Sequence, residues 1–335
     1  MNKRVDMARL AELAGVSKST VSRALADSPL VSKETKREIM ALAAESGYTL
    51  NTAARNFRLG RTAIVAVVLT LQPDSPQTTN DPFFMSMIAE IAEQLRERGY
   101  NTLLSHERLT SADSFLQSQT YQGSDGVIFI GQGQLHETLN ELAEKGLKMV
   151  VWGADLPNRL YSLVGSDNEL GGYLACRHLI SRGCETIGFM GDVNYPEPEL
   201  RHAGYFRALN EAGLTERAPD INSEVSFNPI YSRDAMRSYL CNNPHIDGLI
   251  CCSDLIAMSA ISLLQELGKI VPDDIRVIGY DNLTLAAITH PALTSVDQDI
   301  SLGARQLCDA LFAQLEGDMR SDQIEDARLV IRASA

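Results

Sequence analysis

Beyond residue 63, apolar runs and amphipathic stretches alternate along the chain. AIVAVVLT (63–70) is an unbroken, largely β-branched run, the pattern of a parallel strand buried on both faces. MSMIAEIAEQLRERGY (85–100) has the apolar spacing of an amphipathic helix, and NTLLSH (101–106) and DGVIFIG (125–131) return to strand texture. LHETLNELAEKG (135–146) then reads as helix and KMVVWG (148–153) as strand. The same grammar resumes with YLACRHLISRG, TIGFMG, AGYFRALNEAG, DGLICCS, ISLLQELG and IRVIGYD, and ARLVIRASA closes the chain as a strand. Strand–helix alternation at this spacing predicts an α/β architecture of two doubly wound subdomains.

The first 62 residues follow a different period. Met7, Leu10, Ala11 and Ala14 share one helix face, Gly15 supplies a sharp turn, and Ser17 is placed to cap a second helix. In that helix Val21, Ala24 and Leu25 turn inward, which leaves Lys18, Ser19, Ser22 and Arg23 outward. A third helix is expected within 31–48, with Ser32 as its cap, Thr35, Ile39, Leu42 and Ala43 inside, and Gly47 as its stop. A compact helix-turn-helix with small and basic groups on its free face fits a DNA major groove. The stretch at 50–62 has too little apolar surface for a stable lone helix and reads as a linker. The expected division is a headpiece at 1–48, a hinge or linker at 49–62 and a body at 63–335. Within the body, one subdomain is expected to take about 63–164 and 297–325, the other about 165–296 and 326–335.

Charge sharpens this division. The whole chain of 335 residues carries −13, which by itself argues against nucleic acid. Residues 1–62, however, hold eleven Lys and Arg against six Asp and Glu, a net +5 that leaves −18 for the rest. A small basic head on an acidic body suits local attraction to phosphate. No apolar run reaches the length of a membrane span, no apolar stretch follows the basic start as a signal peptide requires, and six cysteines show no paired spacing. Reduced thiols and a cytoplasmic location are expected.

Catalytic motifs fail on inspection. Gly131-Gln-Gly133 follows a strand, but His136 stands where a dinucleotide fingerprint needs glycine, and His136-Glu137 reads as an exposed helix start. Neither a metal nor a cofactor is expected, and no catalytic residues are assigned. Binding signals lie at strand ends instead: Asp167 and Asn168 after YSLVGS, Arg201, Asp254 after DGLICCS, and Asp281 after IRVIGY. Carboxylates, amides and a guanidinium that converge there can fix polyol hydroxyls two at a time. Each lone Asp also fits a turn or helix cap. Trp152, the single tryptophan, fits either a sugar-stacking platform or a buried strand end.

The ordered run L-A-x-x-A-G-V-S-x-S-T-V-S-R-A-L at 10–25, followed by V-S-x-x-T-x-x-x-I and Gly47-Tyr48, closely resembles the headpiece of the lactose/galactose repressor (LacI/GalR) family. The resemblance implies a helix-turn-helix headpiece on a periplasmic-binding-protein-like body whose effector sits between the two subdomains. It implies that Lys18, Ser19 and Arg23 read bases and that Thr20 and Ser22 anchor phosphates. Tyr48, Asn51 and Arg55 would add contacts, and Phe57, in place of the family's usual leucine, would wedge the minor groove from a hinge helix. Arg201 and Asp281 match the effector-contacting R-x-x-G-Y/F and G-Y/F-D patterns. Ser253, Asp254, Gln298, Trp152, Phe83 and Phe84 are the further effector candidates, with specificity resting on the loops at 72–84 and 191–200.

A homodimer on a pseudo-palindromic operator, released by a mono- or disaccharide, is the expectation for a repressor of carbohydrate genes. Alternatives are a corepressor-dependent regulator that binds a purine or sugar phosphate, a solute-binding transport protein, and a sugar-modifying enzyme.

Overall fold

The computed structural model describes residues 6–25, 28–46, 48, 60–71, 77–105, 108–220, 225–318 and 320–335. The chain forms two compact units, Met1–Thr62 and Ala63–Ala335.

The smaller unit contains α1 (Met7–Leu13), α2 (Lys18–Leu25) and α3 (Lys33–Glu45). Each starts at a side-chain cap: Asp6 accepts from Arg9 N at 2.8 Å, Ser17 Oγ from Thr20 N at 3.1 Å and Ser32 Oγ from Thr35 N at 3.2 Å. Such caps satisfy backbone donors that the helix cannot. Gly15 takes φ +62°, which lets the chain turn sharply between α1 and α2. Leu10, Ala11, Val21, Ala24, Ile39 and Ala43 form the core, as the period demands. Helix α3 is shorter than the 31–48 stretch expected for it, ending at Glu45 with Ser46 as its cap, whose hydroxyl donates to the Leu42 carbonyl at 2.6 Å. The proposed stop at Gly47 lies outside the described residues, as do the hinge positions Asn51, Arg55 and Phe57.

The larger unit holds two sheets. The first contains β1 (Ile64–Leu69), β2 (Asn101–Ser105), β3 (Gly126–Ile130), β4 (Met149–Trp152), β5 (Ser162–Ser166) and β10 (Gln323–Glu325). Its order is β10-β5-β4-β3-β1-β2, with every neighbouring pair parallel. The second contains β6 (Ile187–Met190), β7 (Gly248–Cys251), β8 (Arg276–Tyr280), β9 (Thr294–Asp297) and β11 (Arg328–Val330). It is ordered β11-β9-β8-β7-β6, parallel except where β11 runs against β9. The chain passes between the sheets three times: after Ser166, after Asp297 and after Glu325. The expected terminal strand is therefore confined to Arg328–Val330. Beyond it, Ser334 Oγ donates to the Val277 carbonyl at 2.6 Å and accepts from Thr294 N at 2.9 Å.

Helices flank both sheets. α4 (Pro82–Glu97) and the late helix Ile300–Glu316 pack on the first sheet, where Phe84, Met87, Ile91 and Leu95 meet Ala304, Leu307 and Leu311. The helices Asn168–Ser181, Pro196–Ala212 and Asp254–Glu266 pack on the second. Each of these, and α4, begins before the apolar pattern suggests, because its first turn is polar or glycine-bearing (NELGG, PEPELRH) or is set by a cap. Asp81 shows the last case: its carboxylate accepts from Phe83 N at 2.9 Å while Pro82 occupies the first turn. His136, expected to be an exposed helix start, begins its helix half-buried, its ring bonded to the Tyr161 hydroxyl at 2.9 Å and the Pro157 carbonyl at 3.1 Å. Among the described residues no helix is long and apolar enough to cross a membrane.

Candidate functional site

On the small unit, α2 presents Lys18, Ser19 and Arg23 to solvent, with Thr20 and Ser22 half-buried beside them. The hydroxyls of Ser19 and Thr20 both engage the Ser17 hydroxyl, at 2.7 and 2.9 Å, so the start of α2 is a tight hydroxyl cluster. Tyr48 packs half-buried on the core, and its backbone N–H donates to the Ala43 carbonyl at 2.9 Å.

On the large unit a cavity opens where strands of both sheets end. In the first sheet the strand order reverses at β1/β3, and an open α/β sheet forms its binding crevice outside the carboxyl ends at such a reversal. Thr70 and Leu71 follow β1, Gly131 and Gly133 follow β3, and all four line the cavity with Asp81, Phe83, Phe84 and Trp152. From the second half come Tyr195, Glu197, Arg201, Phe227, Ser253 and Asp281, with Gln298 at the crossover.

Arg201 is built into this wall. It is 5% exposed, its Nε donates to Asn168 Oδ1 at 2.8 Å, and its Nη1 donates to the Cys252 carbonyl at 2.5 Å. Its guanidinium carbon lies 3.7 Å from the centre of the Tyr280 ring, a cation–π stack. Glycines make this seat possible. The helices Asn168–Ser181 and Pro196–Ala212 cross backbone to backbone, and a Cβ on Gly172 would overlap the Arg201 carbonyl. A Cβ on Gly204 would likewise overlap the Glu169 carbonyl, and one on Gly171 the Tyr280 hydroxyl. Asn168, a strand-end binding candidate in the sequence, is thus a buried partner of Arg201, while its neighbour Asp167 is the helix cap.

Asp281 and Asn282 take φ +106° and +49°, two successive left-handed residues that aim the Asp281 carboxylate at the cavity. Gln298 Nε2 donates to Asp281 Oδ1 at 2.6 Å, and Ser166 Oγ donates to Gln298 Oε1 at 2.8 Å. Asp254 corrects the sequence reading. It is fully buried and absent from the cavity lining, because its carboxylate is spent underneath. Leu283 N donates to its Oδ2 at 2.7 Å and Ser295 Oγ to its Oδ1 at 2.6 Å, while Asn282 N donates to that same serine at 2.9 Å. Asp254 therefore ties down the turn that carries Asp281. Ser253 does face the cavity, although its hydroxyl also caps the following helix at Ile256 N, 3.3 Å away.

Burial drives the electrostatics. It pushes the Asp281 carboxyl well above the usual carboxylate range, with the Arg201 charge opposing that rise. Asp254 is pushed up to about 7 by burial, against its hydrogen bonds from Ser295 and Leu283. Burial also raises Glu197 and Asp81.

Phe83 and Phe84 both line the cavity, their ring centres 5.9 Å apart, and Phe83 lies 6.3 Å from Trp152. Trp152 is a buried strand end that also lines the cavity. Thr70, Asp81, Tyr195, Glu197 and Phe227 were missed as individual site residues. Asp81-Pro82 carried a signal, a cap followed by proline; Phe227 carried none.

Family models match two parts of the chain: bacterial regulatory proteins, lacI family, over residues 6–51, and a periplasmic binding protein-like domain over 176–335. The HTH-type transcriptional repressor PurR of Pasteurella multocida is 30% identical over 303 residues, 88% of each chain. The HTH-type transcriptional regulator CelR of Thermobifida fusca is 31% identical over 339 residues, 98% of this chain and 96% of that one. Among solved structures, a transcriptional regulator CelR–cellobiose complex is similar at TM-score 0.68 and 28% identity, covering 99% of this chain and 100% of that one. The lac repressor dimer bound to operator and the anti-inducer ONPF shares the fold at TM-score 0.82 and 20% identity, covering 99% of both chains.

Proposed function

The chain belongs to the lacI family of bacterial regulatory proteins and is a DNA-binding transcriptional regulator, and from that premise we propose that it represses carbohydrate uptake or catabolism genes until a neutral sugar releases it. The observation that carries the sugar reading is the pairing of Arg201 and Asp281 on one cavity whose other polar side chains are carboxyls, amides and hydroxyls, a mixture of acceptors and donors. Every sugar hydroxyl is a donor, and Asp81, Glu197, Asp281 and Gln298 offer it oxygen acceptors beside an aromatic wall. Among the described residues the lining carries three carboxyl groups and one guanidinium, a balance that disfavours a sugar phosphate. The complex of the similar CelR with cellobiose agrees with this reading.

In this proposal a homodimer reads a pseudo-palindromic operator in the cytoplasm. Lys18, Ser19 and Arg23 contact bases, Thr20 and Ser22 contact phosphates, and Tyr48, Asn51 and Arg55 contact the backbone. Phe57 opens the minor groove. The body binds without catalysing, so a bound sugar is recovered unchanged. A sugar bridging the two sheets favours one arrangement of them, and it releases DNA to the extent that its affinity differs between the DNA-bound and free states.

A second reading, a purine corepressor, is favoured by the aromatic pair Tyr195–Phe227 (ring centres 6.1 Å apart) and by the similar PurR. Fluorescence anisotropy of an operator fragment, titrated with the protein and then with saccharides and purine bases, separates the two. Release by a saccharide supports the proposal; tightening by a purine with no saccharide effect overturns it.

A further inference from the structure

The cavity does not end at the residues around Arg201. A groove continues from it toward solvent, and Gln77, Asp81 and Phe227 line both. One bank of the groove is the chain leading into α4, with Asn80 and Pro82; the other is the loop holding Pro229 and Ile230, with Leu255 behind. The groove thus lies between the same two halves as the cavity, and Asp81 stands at the junction. Its carboxylate is steadied there by Gln77 Nε2 at 3.0 Å and by its cap bond to Phe83 N.

The lining has the chemistry of a sugar platform rather than of an ion site. Among the described residues Asp81 is its one charged side chain, while Pro82, Phe227, Pro229 and Ile230 offer flat or apolar contact. Ile230 is 82% exposed, apolar area held at the rim of the groove it lines. The loop is held in shape by its own bonds: Asn228 Oδ1 accepts from Ile230 N at 3.2 Å, and Ser226 N donates to Ser232 Oγ at 3.0 Å. An apolar side chain held at the mouth of a cleft offers contact area to a ligand seated there.

We propose that this groove is a second saccharide subsite, so that the effector is a disaccharide or longer neutral oligosaccharide with one unit at Arg201 and Asp281 and the next between Pro82 and Ile230. The inference rests on the sugar reading above and adds chain length to it. A unit in the groove touches both halves of the body, so a longer sugar stabilises their approach more than a monosaccharide does.

The test is calorimetric titration of the full chain with glucose and galactose and with cellobiose, maltose, lactose and melibiose. Two variants at exposed positions accompany it: Thr78→Trp, which plugs the groove, and Ile230→Ser, which strips its rim. At least one disaccharide is expected to bind about tenfold or more tighter than its component sugars. Both variants should bring that ratio toward one and leave monosaccharide affinity unchanged. Equal affinity for a disaccharide and its components, or variants that weaken both alike, overturns the subsite and leaves the sugar reading standing. Binding of purine bases with no saccharide bound overturns both.

Discussion

The two halves of the cavity are made differently. The second-sheet half is fixed from the backbone outward: Arg201 rests on a helix crossing that admits no Cβ at Gly172, and Asp281 rides a left-handed turn strapped to Asp254. The first-sheet half presents rings, Phe83, Phe84 and Trp152, on a helix start and a strand end. Directional groups need such fixing because a hydrogen bond weakens steeply with misalignment, whereas apolar contact tolerates small shifts. Substitutions should therefore act unequally: the polar half fails as a unit, and the apolar half yields by degrees.

The most damaging change should be Gly172→Ala. Its methyl would overlap the Arg201 carbonyl, so the two helices must separate and Arg201 must leave its seat beside Asn168. Overpacking of this kind costs about 1–3 kcal/mol or more. Urea unfolding should show that loss, and operator release by the effector should disappear with it. A variant of normal stability and response would show that the crossing does not hold Arg201 in place.

Arg201→Ala should come next, and it separates site from scaffold. It removes charged hydrogen bonds of about 1.5–3 kcal/mol each, so effector affinity should fall about a hundredfold while operator affinity stays. Arg201→Lys should recover little, because an ammonium lacks the planar fork that reaches Asn168 and Cys252 while stacking on Tyr280. Unchanged release of operator at the original effector concentration by Arg201→Ala would remove this residue from the site.

Asp254→Asn probes the strap. An amide that presents its NH2 toward Leu283 N or Ser295 loses an acceptor, at about 1–3 kcal/mol for a buried donor left unpaired. Stability and effector affinity should fall together, because the Asp281 turn loosens; a fall in stability alone would confine Asp254 to the fold. The pH dependence has a definite sign. Burial raises Asp254 from the ordinary carboxylate range to about 7, with Arg332 opposing the rise and Asp297 adding to it. The folded state therefore holds this proton more tightly than the unfolded chain. The resulting stabilisation is complete below the ordinary carboxylate pKa and is lost as pH rises through about 7. Asp254→Asn should flatten that part of the pH–stability profile, and an unaltered slope would assign it to another group.

The same contrast explains what the sequence made legible. The headpiece elements and the alternating strands were readable because apolar period and capping residues determine them, as at Ser17 and Ser32. The apolar period places the helix starts that build the site several residues late. Their first turns, such as Pro196–Arg201, face the cavity and so lack an apolar period. The two readings open for Asp254, cavity or turn, are inseparable in sequence for a related reason. A carboxylate after a strand looks the same in sequence whether it points into a cavity or caps a turn beneath it, and only the left-handed pair at 281–282 shows which. Phe227 sits on an irregular loop, where neither period nor motif marks a ring as exposed to ligand.

Phe83→Leu should have the smallest effect of the series, and it tests whether the apolar half is as forgiving as its construction suggests. The ring is half-buried and tilted against Phe84 and Trp152, contacts worth about 0.5–1.5 kcal/mol beyond the apolar area itself. Leucine keeps most of that area and the helix start, since the cap at Asp81 uses the backbone N–H of residue 83 rather than its side chain. Stability should therefore drop by less than about 1.5 kcal/mol, and effector affinity by less than about tenfold, with the Asp254-dependent pH profile unmoved. A loss of response as complete as that of Arg201→Ala would mean that the ring, too, is a fixed directional element, and the division of the cavity into a rigid polar half and a tolerant apolar half would fall.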